Sequence, residues 1–370
     1  MRIAPPRSRA EEADWLRLIR SENVGPATFF SLLQRFGTAG AALDALPELA
    51  ARGGTRRPIV IAKPAAVNSE RESAQKVGAA FVFFGTERYP ARLAAIHAPP
   101  PVIAVRGDIA LLARSPLAIV GARKASAAGR TLAANFAEGF AEAGRAVVSG
   151  LALGIDAAAH RAALSGGTVA VVAGGVDRPT PDEHKALAEE ILAAGGAVVS
   201  EMPFGLVPRA RDYPRRNRLI AGLCDAVVVI EAAAASGSLH TARYAADENR
   251  DVYAVPGSPL DPRAAGCLSL LRSGALLAVE PQDVLSGQPA PVEPSPRLPG
   301  FAETTSPTAT TQDTHAAILE TLSITPIPVD VLVRDTGLPA GAVIAALTEL
   351  ELAGRCERDV DGTVRAAIEP

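Results

Sequence analysis

The sequence has no surplus of positive charge. Its 37 lysines and arginines stand against 40 aspartates and glutamates, a formal net charge of -3. A nucleic-acid binder usually shows its basic footprint in the whole-domain balance, so any such role here must come from local charge. Cysteine is scarce as well. Cys224, Cys267 and Cys356 are odd in number, far apart and outside any CxxC or Cys/His cluster. That argues against a disulfide framework and a zinc site, and reduced, mostly buried thiols are expected. No apolar run approaches the roughly 18 residues of a spanning helix. The start, MRIAPPRSRAEEADW, lacks the apolar stretch of a secretory leader, so a cytoplasmic protein with no membrane role is expected. Phosphate loops of the GxGxxG, GxxxxGKS/T and PGGxGT types are missing, and no carboxylate pair sits at a recognisable catalytic spacing.

What is present suits two or three packed domains: 370 residues, 48% hydrophobic and 21% charged. Residues 1–60 read as a helical module, with apolar spacing at Trp15, Leu16, Leu18 and Ile19 and again from Phe29 to Phe36, broken at Asn23-Val24-Gly25-Pro26. The NVGPATFF turn has the look of a helix-hairpin-helix element, and a plain packing or dimerisation bundle explains it equally well. Residues 75–285 alternate short apolar runs with helical segments, the pattern of an α/β fold with a doubly wound parallel sheet. The runs at residues 117–120, 146–149, 169–173, 198–200, 226–230 and 252–255 are the predicted strands, with Phe81 to Phe84 and APPPVIAVRG as an added edge. Residues 286–312 have linker composition. Residues 313–370 predict three short helices and a strand pair turning at Asp361-Gly362, the plan of a winged helix. Ten acidic side chains and four arginines give that segment a net charge of -6, and its third helix has no Lys or Arg. Such a helix is poorly suited to a DNA groove, so a protein-interaction or packing role is expected.

The loops after the predicted strands carry the chemistry, because ligands of open α/β sheets bind outside the carboxyl ends of the strands. Gly121, Ala122 and Arg123 lead from a strand into a helix beginning near Ser126, which offers free N–H groups, a helix dipole and a guanidinium to a phosphate. A tight turn is the bland alternative. In SGLALGIDAAAH, Asp156 and His160 are spaced i, i+4 and serve either as an acid/base pair or as a helix cap and a loop anchor. Five arginines (Arg209, Arg211, Arg215, Arg216 and Arg218) fall within ten residues against one acid, Asp212, close to Phe204 and Tyr213. A positive groove with aromatic platforms is how single strands are held. This window is expected on a loop, with Asn217 and Arg218 opening the next helix and either touching DNA or anchoring the loop. Ser236, Gly237 and Ser238 repeat the phosphate-loop logic or cap a helix. VPGS at 255–258 either lines the same groove or is a turn.

Taken in order, IVGAR (119–123), SGLALGIDAAAH (149–160), SEMPFG (200–205), YPRRNRLIAG (213–222), SGSLHTARYA (236–245) and AVPGS (254–258) resemble the DNA-processing protein A (Smf) family, with YPARLAAIHAPP (89–100) upstream. The resemblance implies an extended Rossmann-like domain that binds single-stranded DNA, forms a homodimer, protects incoming DNA and helps load a RecA-type recombinase during DNA uptake. It implies no enzyme activity and no cofactor. By motif, Gly121 and Arg123 correspond to a phosphate-contacting turn, Tyr213 to a stacking or pocket-lining aromatic, and Arg209 or Arg211 to an expected cation. Ala122 stands where a small hydroxyl residue is frequent, Thr180 where Tyr is expected, His240 at an apolar position and Leu268 where Asn is usual. Two other readings compete: a nucleotide-processing enzyme of phosphoribohydrolase type, with Glu201 or Glu231 as acid or base, and a protein adaptor acting through the winged helix.

Overall fold

The computed structural model describes residues 3–55, 57–288, 312–359 and 362–367. Most of the expected linker at 286–312, and Asp361 of the expected wing turn, lie outside these. Three helices come first: α1 (Arg9–Arg20), α2 (Pro26–Phe36) and α3 (Ala39–Arg52). The Ser8 and Thr38 hydroxyls cap α1 and α3, and Pro26 opens α2 where a missing N–H costs nothing. Trp15, Leu16, Phe29, Leu32 and Leu46 close a core that reaches Phe83 and Val102 of the sheet. The next helix, α4 (Pro64–Lys76), buries only Val67, Glu70 and Ala74. So sparse an apolar stripe leaves no periodic signal in the sequence.

The central domain runs β1 (Ala79–Phe83), α5 (Ala91–Ala94), β2 (Val102–Gly107), β3 (Leu117–Gly121), α6 (Ala127–Glu142), β4 (Val147–Ser149), α7 (Ile155–Ala162), β5 (Thr168–Val171), α8 (Lys185–Ala193) and β6 (Ala197–Ser200). It continues through α9 (Asp212–Leu223), β7 (Ala226–Ile230), α10 (Ser238–Asp247), β8 (Asp251–Ala254), α11 (Ala265–Arg272), β9 (Leu276–Leu277) and α12 (Pro281–Leu285). The strands form one sheet in the order β1-β2-β6-β5-β4-β3-β7-β8-β9. It is parallel from β6 to β9, and the expected added edge is antiparallel, β1 on β2 and β2 on β6. Alternate side chains of a strand face opposite sides. In β3, Leu117 and Ile119 pack with Phe136 and Phe140 of α6, while Ala118 and Val120 pack with Leu219 and Leu223 of α9. Both faces are therefore covered, which is the doubly wound arrangement. All three cysteines are buried and free.

The C-terminal unit comprises α13 (Gln312–Thr321), β10 (Ile327–Pro328), α14 (Val329–Thr336), α15 (Ala340–Leu352), β11 (Cys356–Arg358) and β12 (Thr363–Ala366). Its sheet order is β10-β12-β11, so the expected strand pair gains a third member. The would-be recognition helix α15 packs on the chain's own N-terminal module. Glu349 is fully buried there, 3.2 Å from Arg35 Nη1, 3.5 Å from Arg52 Nη2 and 3.0 Å from His315 Nε2. Gly53 permits this approach, since a Cβ there would lie 2.0 Å from the Glu349 carbonyl oxygen. Among the described residues no single helix is long and apolar enough to cross a membrane. Helices α14 and α15 together are long and apolar, but the pair bends through 114° and α15 is largely buried.

Under the carboxyl edge of the sheet lies a buried polar network. Asp156 accepts from the N–H groups of Gly150 (3.1 Å) and Ala152 (3.3 Å), and Arg216 donates to the carbonyls of Gly150 and Val171. His160 Nδ1 meets Thr168 Oγ1 at 2.7 Å, and His184 Nδ1 meets the Leu151 carbonyl at 2.8 Å. Asp156 and His160 are both structural: Asp156 holds the loop before α7 rather than capping the helix, whose cap is Gly154, and His160 is tied to Thr168. Glu201 is also buried and pairs with Arg218.

Two outcomes follow. Removing the Glu201 carboxylate leaves the Arg218 guanidinium buried without its partner, so Glu201→Ala should cost about 3 to 5 kcal/mol in urea unfolding. Burial, reinforced by His184, Arg216 and Arg161, lowers the His160 pKa from 6.5 to about 3. The unfolded chain then binds a proton that the folded chain refuses, so this contribution is complete above pH 6.5 and declines as pH falls toward 3. Denaturation midpoints of wild type and His160→Asn measured through that window should converge on acidification.

Candidate functional site

From β3 the chain builds outward through β4, β5 and β6, then returns to place β7, β8 and β9 on the other side. The switch point lies between β3 and β7. Helix α6 leaves β3 toward one face and α10 leaves β7 toward the other, which opens a crevice at their carboxyl ends. A cleft of 720 Å³ occupies it. Its walls bring together Gly121 to Lys124 at the end of β3, Tyr213, Arg216 and Asn217 of α9, Ser236, Gly237, Ser238, His240 and Thr241 around the start of α10, and Arg263. Leu151 (φ 56°) and Glu231 (φ 49°), in the loops after β4 and β7, hold left-handed backbone that non-glycine residues seldom adopt.

The basic window is only partly a loop: Arg209 and Arg211 precede a helix, and Arg215, Arg216 and Arg218 lie on it. Helix α9 begins at Asp212, with Pro214 tolerated in the first turn and the Asp212 carboxylate accepting the Arg209 N–H at 2.7 Å. A helix divides the cations by face. Tyr213, Arg216, Asn217 and Ile220, spaced i, i+3, i+4 and i+7, line the switch-point cleft. Arg211 and Arg215 line a second cleft on the other side of the ridge, and Arg209 is exposed. Arg218 is 3% exposed, bound to Glu201 and to the Ala98 carbonyl at 3.0 Å. It is an internal anchor. Asn217 lines the cleft while its amide holds the Gly237 carbonyl at 3.2 Å, so it also fixes the loop before α10.

Arg216, which the motifs alone did not single out, forms the floor. Burial lowers its pKa to about 10 while Asp156 pulls the other way, so it remains a cation at neutral pH. Burial also raises the Asp156 carboxyl, against the pull of Arg216 and of two backbone N–H groups. Lys124 and Arg263 are further cations that no sequence motif marks. The i, i+3 spacing of Tyr213 and Arg216 would have flagged Arg216 had the helix been started at Asp212. Arg123 sits over the Tyr213 ring, 5.4 Å from its centroid, a cation–π pair at the rim.

Two details of the expected phosphate cradle change. The N-terminus of α6 is already occupied: the Glu231 carboxylate accepts from Ser126 N–H at 2.8 Å and from the Ser126 hydroxyl. Gly121 is needed for packing, because a Cβ there would lie 1.9 Å from the Ile230 carbonyl oxygen. Gly154 and Ile155 brace the loop from behind, with Ile155 N–H donating to the Ala122 carbonyl at 3.2 Å. Gly237 is different. Nothing lies within 4 Å of where its side chain would begin, so its lack of one leaves room in the cleft. Ser236 and Ser238 hydroxyls meet at 2.8 Å.

Phe204 packs edge-on against Phe81 and does not line the cleft, and Gly257 of VPGS lies against Ala264. His240 points to solvent at the cleft wall rather than interrupting a core. Glu201 and Glu231, the carboxylates on which the nucleotide-enzyme reading rested, are both committed to internal partners. Among the described residues no cluster of His, Cys, Asp or Glu is arranged to hold a metal.

Residues 80–288 match the family described as DNA recombination-mediator protein A, residues 9–73 the DprA-like N-terminal HHH domain, and residues 302–362 the DprA winged helix domain. Protein Smf of Escherichia coli (strain K12) is 38% identical over 287 residues, which is 76% of this chain and 75% of that protein. Protein Smf of Synechocystis sp. is 33% identical over 385 residues, 94% of this chain and 96% of that protein. Among solved structures, DNA processing protein A from Streptococcus pneumoniae aligns with a TM-score of 0.60 at 33% identity, covering 75% of this chain and 97% of that one. The Helicobacter pylori protein, described for its single-stranded DNA binding mode, aligns with a TM-score of 0.51 at 26% identity over 56% and 94%. With its central domain and both flanking modules matched, this chain belongs to the DNA recombination-mediator protein A family, also known as DprA or Smf.

Proposed function

We propose that the switch-point cleft binds single-stranded DNA, and that the protein protects incoming strands and helps deliver them to a RecA-type recombinase during DNA uptake and recombination. The observation that carries this reading is the rim pair: the Arg123 guanidinium lies on the face of Tyr213, above a floor formed by Arg216. Guanidinium groups suit phosphates, and an aromatic face suits an unstacked base, which a single strand offers and a duplex withholds. Lys124 extends the positive lining, Arg263 is held in it by Asp261 at 2.7 Å, and the only carboxylate lining the cleft among the described residues, Asp156, is buried against Arg216. The Helicobacter pylori relative's single-stranded DNA mode supports the same ligand.

In this reading Gly121, Ala122, Arg123, Tyr213, Asn217, Ser236, Gly237 and Ser238 line the strand's path, with Arg209, Arg211 and Arg215 beside it on the outer ridge. A homodimer fits the far edge of the sheet. Among the described residues, strand β9 pairs only with β8 and leaves Leu276 (47%), Leu277 (56%) and Val279 (54%) exposed, an apolar edge suited to a second copy. At the opposite end of the sheet, Phe81 and Phe83 of β1 pack with the N-terminal module.

Affinity for a fluorescent single-stranded oligonucleotide, titrated with salt against a duplex of equal length, tests the proposal. Wild type should prefer the single strand. Arg123→Ala and Arg211→Ala should bind more weakly, with a salt slope shallower by about 0.7 for each lost phosphate contact. Tyr213→Ala should lose roughly 1 to 3 kcal/mol with little change of slope. Gly237→Phe should fold normally and bind poorly because the ring fills the cleft. Absence of any DNA affinity in wild type at low salt would sink the reading.

A further inference from the structure

The second cleft, 770 Å³ in volume, lies where the N-terminal hairpin, the ridge of α9 and the winged helix meet. On one side it carries Arg211 and Arg215, the two cations of the basic window that turn away from the switch point; Arg215 lies 3.4 Å from Glu201, and Asp212, Glu357 and Asp359 also line the cleft. Opposite them is the start of α2, whose cap residue is Gly25 and whose first turn has no side-chain cap of its own. A helix start of this kind favours an anion.

A carboxyl of the chain itself lies beside that helix start. The Glu351 carboxylate, at the end of α15, accepts from the fully buried Thr28 hydroxyl and lies 3.8 Å from where a Gly25 Cβ would be. Asn23, with φ 58°, donates to the Leu352 carbonyl at 3.2 Å and fixes the hairpin turn to the same helix end. Arg358 completes the site, its Nη2 3.1 Å from Glu351 and 3.3 Å from the Thr348 hydroxyl, with its side chain only 10% exposed. The Arg358 Nε–H has no hydrogen-bond partner among the described residues. The built site thus comprises a helix start, a hydroxyl and a nearly buried guanidinium with a donor to spare. Nearby Arg365 is engaged by Glu357 and Asp359 and is not needed.

We propose that this is a second phosphate site for nucleic acid, closed in the free chain by Glu351 acting in place of a phosphodiester. The choice of phosphodiester over another anion rests on the reading of the switch-point cleft. Pro214 lines both clefts, so a strand leaving the first crosses the α9 ridge directly into the second. The acidic winged helix then withholds the hairpin until a longer strand competes for it.

Full-length Glu351→Gln keeps the shape and removes the charge. Its affinity for a single strand long enough to span both clefts should rise roughly five- to thirtyfold at low salt, the worth of one anion at a helix start. Adding Gly25→Asp, whose φ of -87° any residue can adopt, returns a carboxylate to the site and should erase the gain. Unchanged affinity in Glu351→Gln, or a gain that survives Gly25→Asp, overturns the proposal. A measurement without substitutions guards against misfolding. In wild-type hydrogen exchange, the long strand should protect residues 23–28 and deprotect the end of α15, and no change at either place counts against it. If wild type binds an oligonucleotide confined to the first cleft while Glu351→Gln gains nothing, only this proposal fails. If wild type binds nothing and Glu351→Gln does, the reading of the first cleft fails and this one stands.

Discussion

The guanidinium of Arg216 is the piece on which the switch point depends. It satisfies carbonyls at the ends of two neighbouring strands, Gly150 after β4 and Val171 of β5, and it neutralises Asp156, which itself holds the Gly150 and Ala152 N–H groups. Gly150 is the counterpart of that cation. A Cβ there would lie 2.3 Å from Arg216 Nη1, so a glycine on one loop and an arginine on a distant helix act as a matched pair. A buried pair of this sort is expensive to break and contributes little net stability when whole, so its value is in fixing one arrangement. Because the same guanidinium floors the cleft, stability and ligand affinity are, under the proposed function, coupled at Arg216. At Arg123 and Arg211, which lie nearer the surface, they are not.

That asymmetry explains what could be read from the sequence. The strands were legible because parallel strands covered on both faces appear as short unbroken runs such as AIVG and AVVVI. The cleft's position followed from where those runs end. The face assignment of the arginines did not, because it turns on where α9 starts. With the helix begun at Asn217 the basic window is one loop, whereas a start at Asp212 sends Arg216 inward and Arg218 toward Glu201. Pro214 masked the start, since proline ordinarily signals a break although the first helical turn accepts it. The Glu231 cap on α6 left no local trace at all. Its partner Ser126 is 105 residues away, and no spacing rule reaches so far.

The acidic C-terminal segment was legible as unsuited to a DNA groove, but its acids serve the chain's own packing. Glu349 is surrounded by Arg35, Arg52 and His315, and Glu351 by Thr28 and Arg358. Burying a carboxylate is costly unless its charge and lone pairs are met, and here the partners come mostly from the N-terminal module. Composition records both members of such a pair and cannot tell an internal contact from an external one. The same blindness hides the cleft, since the overall charge of -3 averages over acids that never face it.

In the proposed binding mode, the rim pair sets the terms on which a strand binds. In the free protein Arg123 covers the Tyr213 face. A base that stacks on that face must displace the guanidinium, which gives up roughly 0.5 to 2 kcal/mol of cation–π attraction. Stacking returns roughly 1 to 3 kcal/mol, a small surplus by itself. The displaced guanidinium is then free to meet a phosphate, so the base and the backbone contact are won together. A free phosphate anion cannot supply the stacking half of this exchange, and a duplex cannot supply it without unpairing. In that proposed mode the discrimination resides in the coupling of Arg123 to Tyr213 rather than in either residue alone.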